Sequence, residues 1–148
     1  MAAQVRTLVP LLLFVALFPV LAASQTILPL TESDHTYFVI AKINGHDTLL
    51  LLDTGARNSV VRPEVIQRAG IVPTPGAKLS GLTGQNVPIS QAPVQIEIVP
   101  HNVVYLHVGV AKLPEYMKGC EGVIGNDVLS KFSRVLIDYK AHTLTVWQ

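Results

Sequence analysis

The sequence predicts an all-β, barrel-like fold with one or two short helices. Three observations carry that expectation. Short apolar and β-branched runs recur along the chain with turn residues between them. Val94-Gln95-Ile96-Glu97-Ile98 alternates between apolar and polar residues, the period of a half-buried strand. Asn44-Gly45 separates two further runs, and this dipeptide favours a two-residue hairpin turn.

Taken in order, Thr36 to Ile43 is apolar and β-branched and reads as a strand. It enters the Asn44-Gly45 turn and returns as a strand from Thr48 to Leu52, with Asp47 placed at the turn. Val60-Val61 continues as a short strand. Arg62 to Gly70 reads as a short helix, with Pro63 in its first turn and Gly70 as its stop. Pro73 to Gly76 reads as a loop. Strands follow at Val94 to Ile98 and Val103 to Val110. Asp127 to Phe132 fits a second short helix capped by Asn126 or Asp127. Val135 to Tyr139 and Thr143 to Trp147 then close a hairpin around Lys140-Ala141-His142.

A chain of 148 residues fits one small globular domain. Its charged fraction of 14% is low for such a domain, and the N-terminus accounts for part of that. Met1 to Arg6 carries one positive charge, Leu8 to Leu21 is apolar, and Ala22-Ala23-Ser24 supplies small residues. This is the pattern of a signal peptide over residues 1–24, so the protein is expected to be exported, periplasmic or secreted. The competing reading, an uncleaved membrane anchor, meets an apolar run shorter than the roughly twenty residues needed to span a bilayer. Residues 25–35 read as an N-terminal extension and 36–148 as the domain. Removing the leader takes away Arg6 and no acid, leaving ten basic and ten acidic residues. With no basic patch or stripe, no nucleic-acid partner is expected. No cofactor is expected and no metal, because no His or Cys spacing resembles a ligand set. His101 and His107 share one strand face, opposite Val104, Leu106 and Val108, and read as solvated. Cys120 has no internal disulfide partner and is either a buried thiol or an intermolecular bridge.

The chemistry concentrates at Asp53-Thr54-Gly55. Leu49-Leu50-Leu51-Leu52 runs straight into it, a continuous apolar stretch that reads as a strand buried on both faces. The triplet then presents one carboxylate at the edge of a core, where an aspartate needs a partner or a task. Alone, such a triplet arises by chance in roughly one chain in fifty of this length. Here Gly122-Val123-Ile124-Gly125-Asn126-Asp127 follows later in the chain. The pair resembles the signature of the retropepsins, the single-lobe, retroviral-type aspartic proteases. Leu51-Leu52-Asp53-Thr54-Gly55-Ala56 is similar to that family nearly letter for letter, and Val123-Ile124-Gly125 resembles its hydrophobic-hydrophobic-Gly element. Ser80-Gly81-Leu82-Thr83-Gly84-Gln85 lies where the family places its glycine-rich flap. The resemblance runs from about Tyr37 to Trp147, and secreted bacterial members are closest in layout.

The resemblance implies a single-lobe retropepsin-like acid-protease barrel acting as an aspartic endopeptidase on peptide or protein substrates. Peptide hydrolysis of this kind uses two carboxylates about one water apart, which share a proton because like charges that close cannot both ionise. Of five aspartates, Asp34, Asp47, Asp53, Asp127 and Asp138, only Asp53 is followed by Thr-Gly. One chain therefore supplies one half-site, and the expectation is a homodimer with Asp53 facing its symmetry mate. By resemblance, Thr54 and Gly55 support the active-site turn, Thr54 by bonding across the twofold axis. Ala56, Arg57, Gly81, Leu82, Thr83, Gly84 and Ile124 are the implied substrate-binding positions.

Two departures from the retroviral pattern matter. Arg57 and Asn58 stand where those enzymes carry acids that grip substrate. Arg57 is open to a contact with a substrate carbonyl, a pairing with an acid of the partner, or a solvated role. Asn126 stands where they usually carry Arg, so the salt bridge bracing that interface is expected to be absent or made differently. Asp127 matches an acid of the bacterial relatives and is expected to cap a helix. The exchanged terminal strands of retroviral dimers are not identifiable, with Thr143 to Gln148 as one candidate. A catalytically silent binding or scaffold module of the same fold is the alternative function, and contact with a membrane is expected only if the leader stays uncleaved.

Overall fold

The computed structural model describes residues 24–80, 86–117 and 119–148. Its strands are β1 (Gln25–Pro29), β2 (Thr31–Ser33), β3 (Thr36–Ile43), β4 (His46–Leu52), β5 (Val60–Val61), β6 (Thr74–Ser80), β7 (Asn86–Val99), β8 (Asn102–Val110), β9 (Gly122–Ile124), β10 (Arg134–Asp138) and β11 (Thr143–Trp147). Two short helices, α1 (Pro63–Arg68) and α2 (Asn126–Leu129), interrupt them. The fold is all-β, as expected.

The larger sheet has the order β2-β3-β4-β9-β5-β8-β7-β6, and β3 also pairs with β7. That extra pairing closes six strands, from β3 through β9 back to β7, into a barrel. Alternation dictates what fills it. Val39, Ala41 and Ile43 of β3 point inward between exposed Ile40 and Lys42. Val94, Ile96 and Ile98 of β7 meet them, as the alternating sequence requires. Val65 and Ile66 of α1 cover one end of the core. The second sheet, β1-β11-β10, adds fully buried Leu144 and Val146.

The Asn44-Gly45 turn joins β3 to β4 with φ values of 48° and 84°, the positive pair that a tight hairpin demands. Pro63 opens α1, and Gly70 follows its end at φ 68°. Other expectations shift. Asp47 lies inside β4, which begins at His46, rather than at a turn. Of the expected Pro73 to Gly76 loop, Thr74 to Gly76 is instead the start of β6, which carries a bulge between Pro75 and Ala77. Residues 25–33, set apart in the sequence as an extension, form β1 and β2. β1 pairs along its length with β11, and Leu30 is buried in the core. β11 is thereby flanked on both sides by strands of its own chain. Within the protomer, both edges of Thr143–Trp147 are paired.

Candidate active site

β4 pairs in parallel with β9, and β5 pairs antiparallel with the other edge of β9. The chain leaving β4 must therefore loop around the end of β9 before returning as β5. That loop is residues 53–59, and the Asp-Thr-Gly triplet is its first turn. Apolar Leu50 to Leu52 anchor the loop because they pair residue for residue with Gly122, Val123 and Ile124. The Asp53 amide donates to the Ile124 carbonyl at 3.1 Å, which extends the ladder by one step and fixes where the aspartate begins.

The Asp53 carboxylate is held by its own turn. Oδ1 accepts the Gly55 amide at 2.8 Å and the Ala56 amide at 3.1 Å, and the Ala56 amide also lies 3.2 Å from the Asp53 carbonyl. Among the described residues, no hydrogen bond reaches Oδ2. The side chain is half-buried at the edge of the barrel. Gly55 leaves room for the carboxylate, since a Cβ there would sit 3.2 Å from Oδ1 and press on it.

Segment 125–127 braces the loop from below. The Asn126 amide donates to the Ala56 carbonyl at 2.9 Å, and the Asp127 amide to the Arg57 carbonyl at 3.1 Å. The Asn126 side-chain amide donates to the Thr54 carbonyl at 2.7 Å. Asp127 does not cap α2. The N-cap is Gly125, with no side-chain cap bond, and α2 is shorter than the sequence suggested, ending at Leu129. The Asp127 carboxylate instead accepts the Ser59 amide on Oδ2 at 2.8 Å and the Ser59 hydroxyl on Oδ1 at 2.6 Å. The same hydroxyl accepts the Gly125 amide at 3.0 Å. Ser59 is 1% exposed, so this small network substitutes for water around buried polar groups.

The expected site residues fall into three groups. Asp53, Thr54, Gly55, Ala56 and Arg57 share the loop, with Thr54 and Arg57 exposed. Arg57 forms no ion pair among the described residues. Ile124 is not available to substrate in the protomer, because its side chain is fully buried and only its carbonyl serves the site. Gly81, Leu82, Thr83 and Gly84 lie outside the described residues. Ser59 was missed. Its signal in the sequence is slight, a small hydroxyl between an active-site turn and an apolar strand. Cys120 is a buried, free thiol whose Sγ lies 3.3 Å from the Met117 carbonyl.

A cleft of about 380 Å³ opens beside the triplet. Leu52 and Thr54, on either side of Asp53, line it together with Leu51, Tyr37, Ile137 and Tyr139. The Tyr37 and Tyr139 rings pack 5.1 Å apart in a tilted pair, and His35 and Thr36 add polar groups, so the wall is part aromatic and part polar. Among the described residues, no group of three or more His, Cys, Asp or Glu is arranged to hold a metal ion.

Residues 39–131 match the model of a family described as "gag-polyprotein putative aspartyl protease". Among solved structures, the chain is similar to the EIAV protease complexed with the inhibitor HBY-793, at 25% identity and a TM-score of 0.55, over 68% of this chain and 91% of that one. It is also similar in fold to a retropepsin-like aspartic protease from Rickettsia conorii, at 17% identity and a TM-score of 0.64, over 85% of this chain and 92% of that one. No curated protein matches the chain.

Proposed function

This chain belongs to the gag-polyprotein-type aspartyl protease family, with a retropepsin-like fold, and from that premise we propose that it is an aspartic endopeptidase whose catalytic dyad is two copies of Asp53. The observation that carries the proposal is the seat of Asp53. Two backbone amides hold Oδ1, while Oδ2 has no partner among the described residues, beside a cleft large enough for side chains of a peptide. A carboxylate held in this way can be aimed at a water without a change of rotamer.

The chemistry needs a second acid, and only one Asp-Thr-Gly exists per chain. Two chains related by a twofold axis supply it. The ionised member of the pair takes a proton from the water as the oxygen attacks the peptide carbonyl. The protonated member donates to the carbonyl oxygen. The tetrahedral species then collapses, the leaving nitrogen takes up a proton, and the pair is reset. Thr54 fits a place at the axis. It is exposed, and its hydroxyl makes no hydrogen bond among the described residues, whereas its carbonyl is already held by Asn126. Export through a cleaved leader over residues 1–24 belongs to the same proposal, and N-terminal sequencing of the protein recovered outside the cytoplasm tests it.

The test of activity is cleavage of a peptide library with and without pepstatin, compared with Asp53→Ala. Pepstatin-sensitive cleavage that disappears in the variant is the expected result. A folded wild-type protein that cuts nothing, at any concentration or acidic pH, would return the alternative of a silent binding module.

A further inference from the structure

We propose that Arg57 makes the site selective for acidic peptides, by pairing with an Asp or Glu side chain of the substrate close to the bond that is cut. This names the substrate class of the endopeptidase reading of Asp53 and rests on that reading. Loop 53–59 carries two formal charges, the carboxylate of Asp53 and the guanidinium of Arg57. Arg57 is exposed.

The fold gives this guanidinium no acid of its own. Among the described residues the ion pairs are Lys42–Asp47 and Arg68–Glu121. Asp127 is well placed to pair with Arg57, since its amide meets the Arg57 carbonyl at 3.1 Å. Its carboxylate is occupied, however, with Oδ2 on the Ser59 amide and Oδ1 on the Ser59 hydroxyl. The Asn126 side-chain amide is held by the Thr54 carbonyl at 2.7 Å. Among the described residues, those that line the cleft beside the triplet include no Asp, Glu, Lys or Arg. Arg57 is thus a cation beside the reacting carboxylate with its donors open. The planar fork of a guanidinium fits a carboxylate through two parallel hydrogen bonds, so an Arg in this setting reads charge.

Its mounting is fixed and its reach is bounded. The Ala56 carbonyl accepts the Asn126 amide and the Arg57 carbonyl the Asp127 amide, so the backbone on both sides of the residue is pinned to segment 125–127. The Ala56 amide closes a turn on the Asp53 carbonyl at 3.2 Å. The ends of such a turn lie less than about 7 Å apart and the next residue adds about 3.8 Å, so the Cα atoms of Asp53 and Arg57 are at most about 11 Å apart. An extended peptide advances about 3.3 Å per residue, which puts side chains about one to three residues from the cut bond within range of Arg57. Two chains related by a twofold axis supply two such guanidinia, so the acidic preference is expected on both sides of the bond.

The test uses peptides blocked at both ends, alike except for Asp or Glu against Asn or Gln at one position in turn. Cleavage is measured at about pH 5, where the substrate carboxyl is ionised. Wild type is expected to cut the best acidic peptide with kcat/KM about tenfold above that of its amide twin, mostly through KM, the scale of one charge-assisted pair at a partly exposed site. Arg57→Met should bring that ratio to about one, and Arg57→Glu should turn the preference toward peptides with Lys at the same position. The wild-type ratio should also narrow in high salt, and as pH falls through about 4 and the substrate carboxyl takes up its proton. Binding of the same peptides to Asp53→Asn, with and without Arg57→Met, is read by fluorescence anisotropy and needs no turnover. Equal cleavage of acidic and amide peptides, or a preference that Arg57→Met leaves in place, overturns the role of Arg57 and leaves the endopeptidase standing. Protein that cuts nothing, yet binds acidic peptides about tenfold tighter only while Arg57 is present, upholds the selectivity and overturns the endopeptidase. Neither cleavage nor selective binding overturns both.

Discussion

Replacing Ser59 by alanine tests whether the network beneath the active-site loop holds it in place. The hydroxyl is 1% exposed, donates to Asp127 at 2.6 Å and accepts the Gly125 amide at 3.0 Å. Its removal costs a hydrogen bond to a charged group, about 1.5–3 kcal/mol, and strands a buried amide, a further ~1–3 kcal/mol. Asp127 is half-buried and keeps the Ser59 amide as a donor, so water recovers part of the first loss. A net cost of about 2–3 kcal/mol follows, which for a domain of this size lowers Tm by roughly 8–12 °C. Scanning calorimetry measures it, with Asn58→Ala as the control, since Asn58 is the exposed neighbour in the same loop. The control should shift stability by no more than about 0.5 kcal/mol. The loop also carries Asp53, so kcat of Ser59→Ala should fall even at temperatures where the variant is folded. Equal melting of Ser59→Ala and Asn58→Ala, within about 2 °C, would refute the reasoning, because a buried hydroxyl with two partners cannot be both integral and dispensable.

Further outcomes are expected. Asp53→Asn keeps the shape of the turn but removes an acid from both half-sites, and peptide cleavage measured by chromatography should drop by roughly 10²-fold or more with Tm little changed. Gly55→Ala puts a Cβ 3.2 Å from the Asp53 Oδ1 at an exposed turn, so turnover should suffer more than thermal stability. Gly125→Ala meets backbone, the Ala56 carbonyl oxygen at 2.9 Å and the Asn58 carbonyl carbon at 3.0 Å. It should cost about 1–3 kcal/mol in chemical denaturation. Adding excess Asp53→Asn chains to wild type should inhibit cleavage by capturing active chains in mixed dimers, and dilution should lower specific activity.

Part of the barrel was legible from composition and period. Val94 to Ile98 shows in sequence the alternation that burial then follows. Thr36 to Ile43 was legible only as an apolar, β-branched run, because exposed Ile40 hides the alternating burial of Val39, Ala41 and Ile43. The Asp53 turn was legible for a different reason, since few triplets end an apolar strand in a carboxylate and a glycine. What stayed hidden depends on partners far away in sequence. Asp127 has the composition of a helix cap, and local rules place it there. The fold instead brings Ser59 within 2.6 Å across a separation of 68 residues, and a buried hydroxyl outbids solvent for the carboxylate. β1 escaped notice because Gln25 to Pro29 lacks the apolar density of a core strand. It earns its place through ladder bonds to β11, which no reading of five residues can foresee.

The hydrophobic-hydrophobic-Gly element has a physical meaning beyond its use as a signature. β9 is three residues long and lies between β4 and β5, so it is flanked along both edges by the two strands that the Asp53-bearing loop joins around its end. Val123 and Ile124 must be apolar because they are 8% and 0% exposed. The glycines on either side must be glycine because other backbone occupies the space. A Cβ on Gly122 would lie 2.7 Å from the Val60 carbonyl oxygen, and one on Gly125 would lie 2.9 Å from that of Ala56. The element is therefore a template around which the loop is cast, and its side chains do not line the cleft. Variation at Ile124 should accordingly read out first in stability, at about 0.5–1.5 kcal/mol for Ile124→Val, and in peptide preference hardly at all. A change in cleavage specificity by Ile124→Val at unaltered stability would place that side chain against substrate and reverse this assignment.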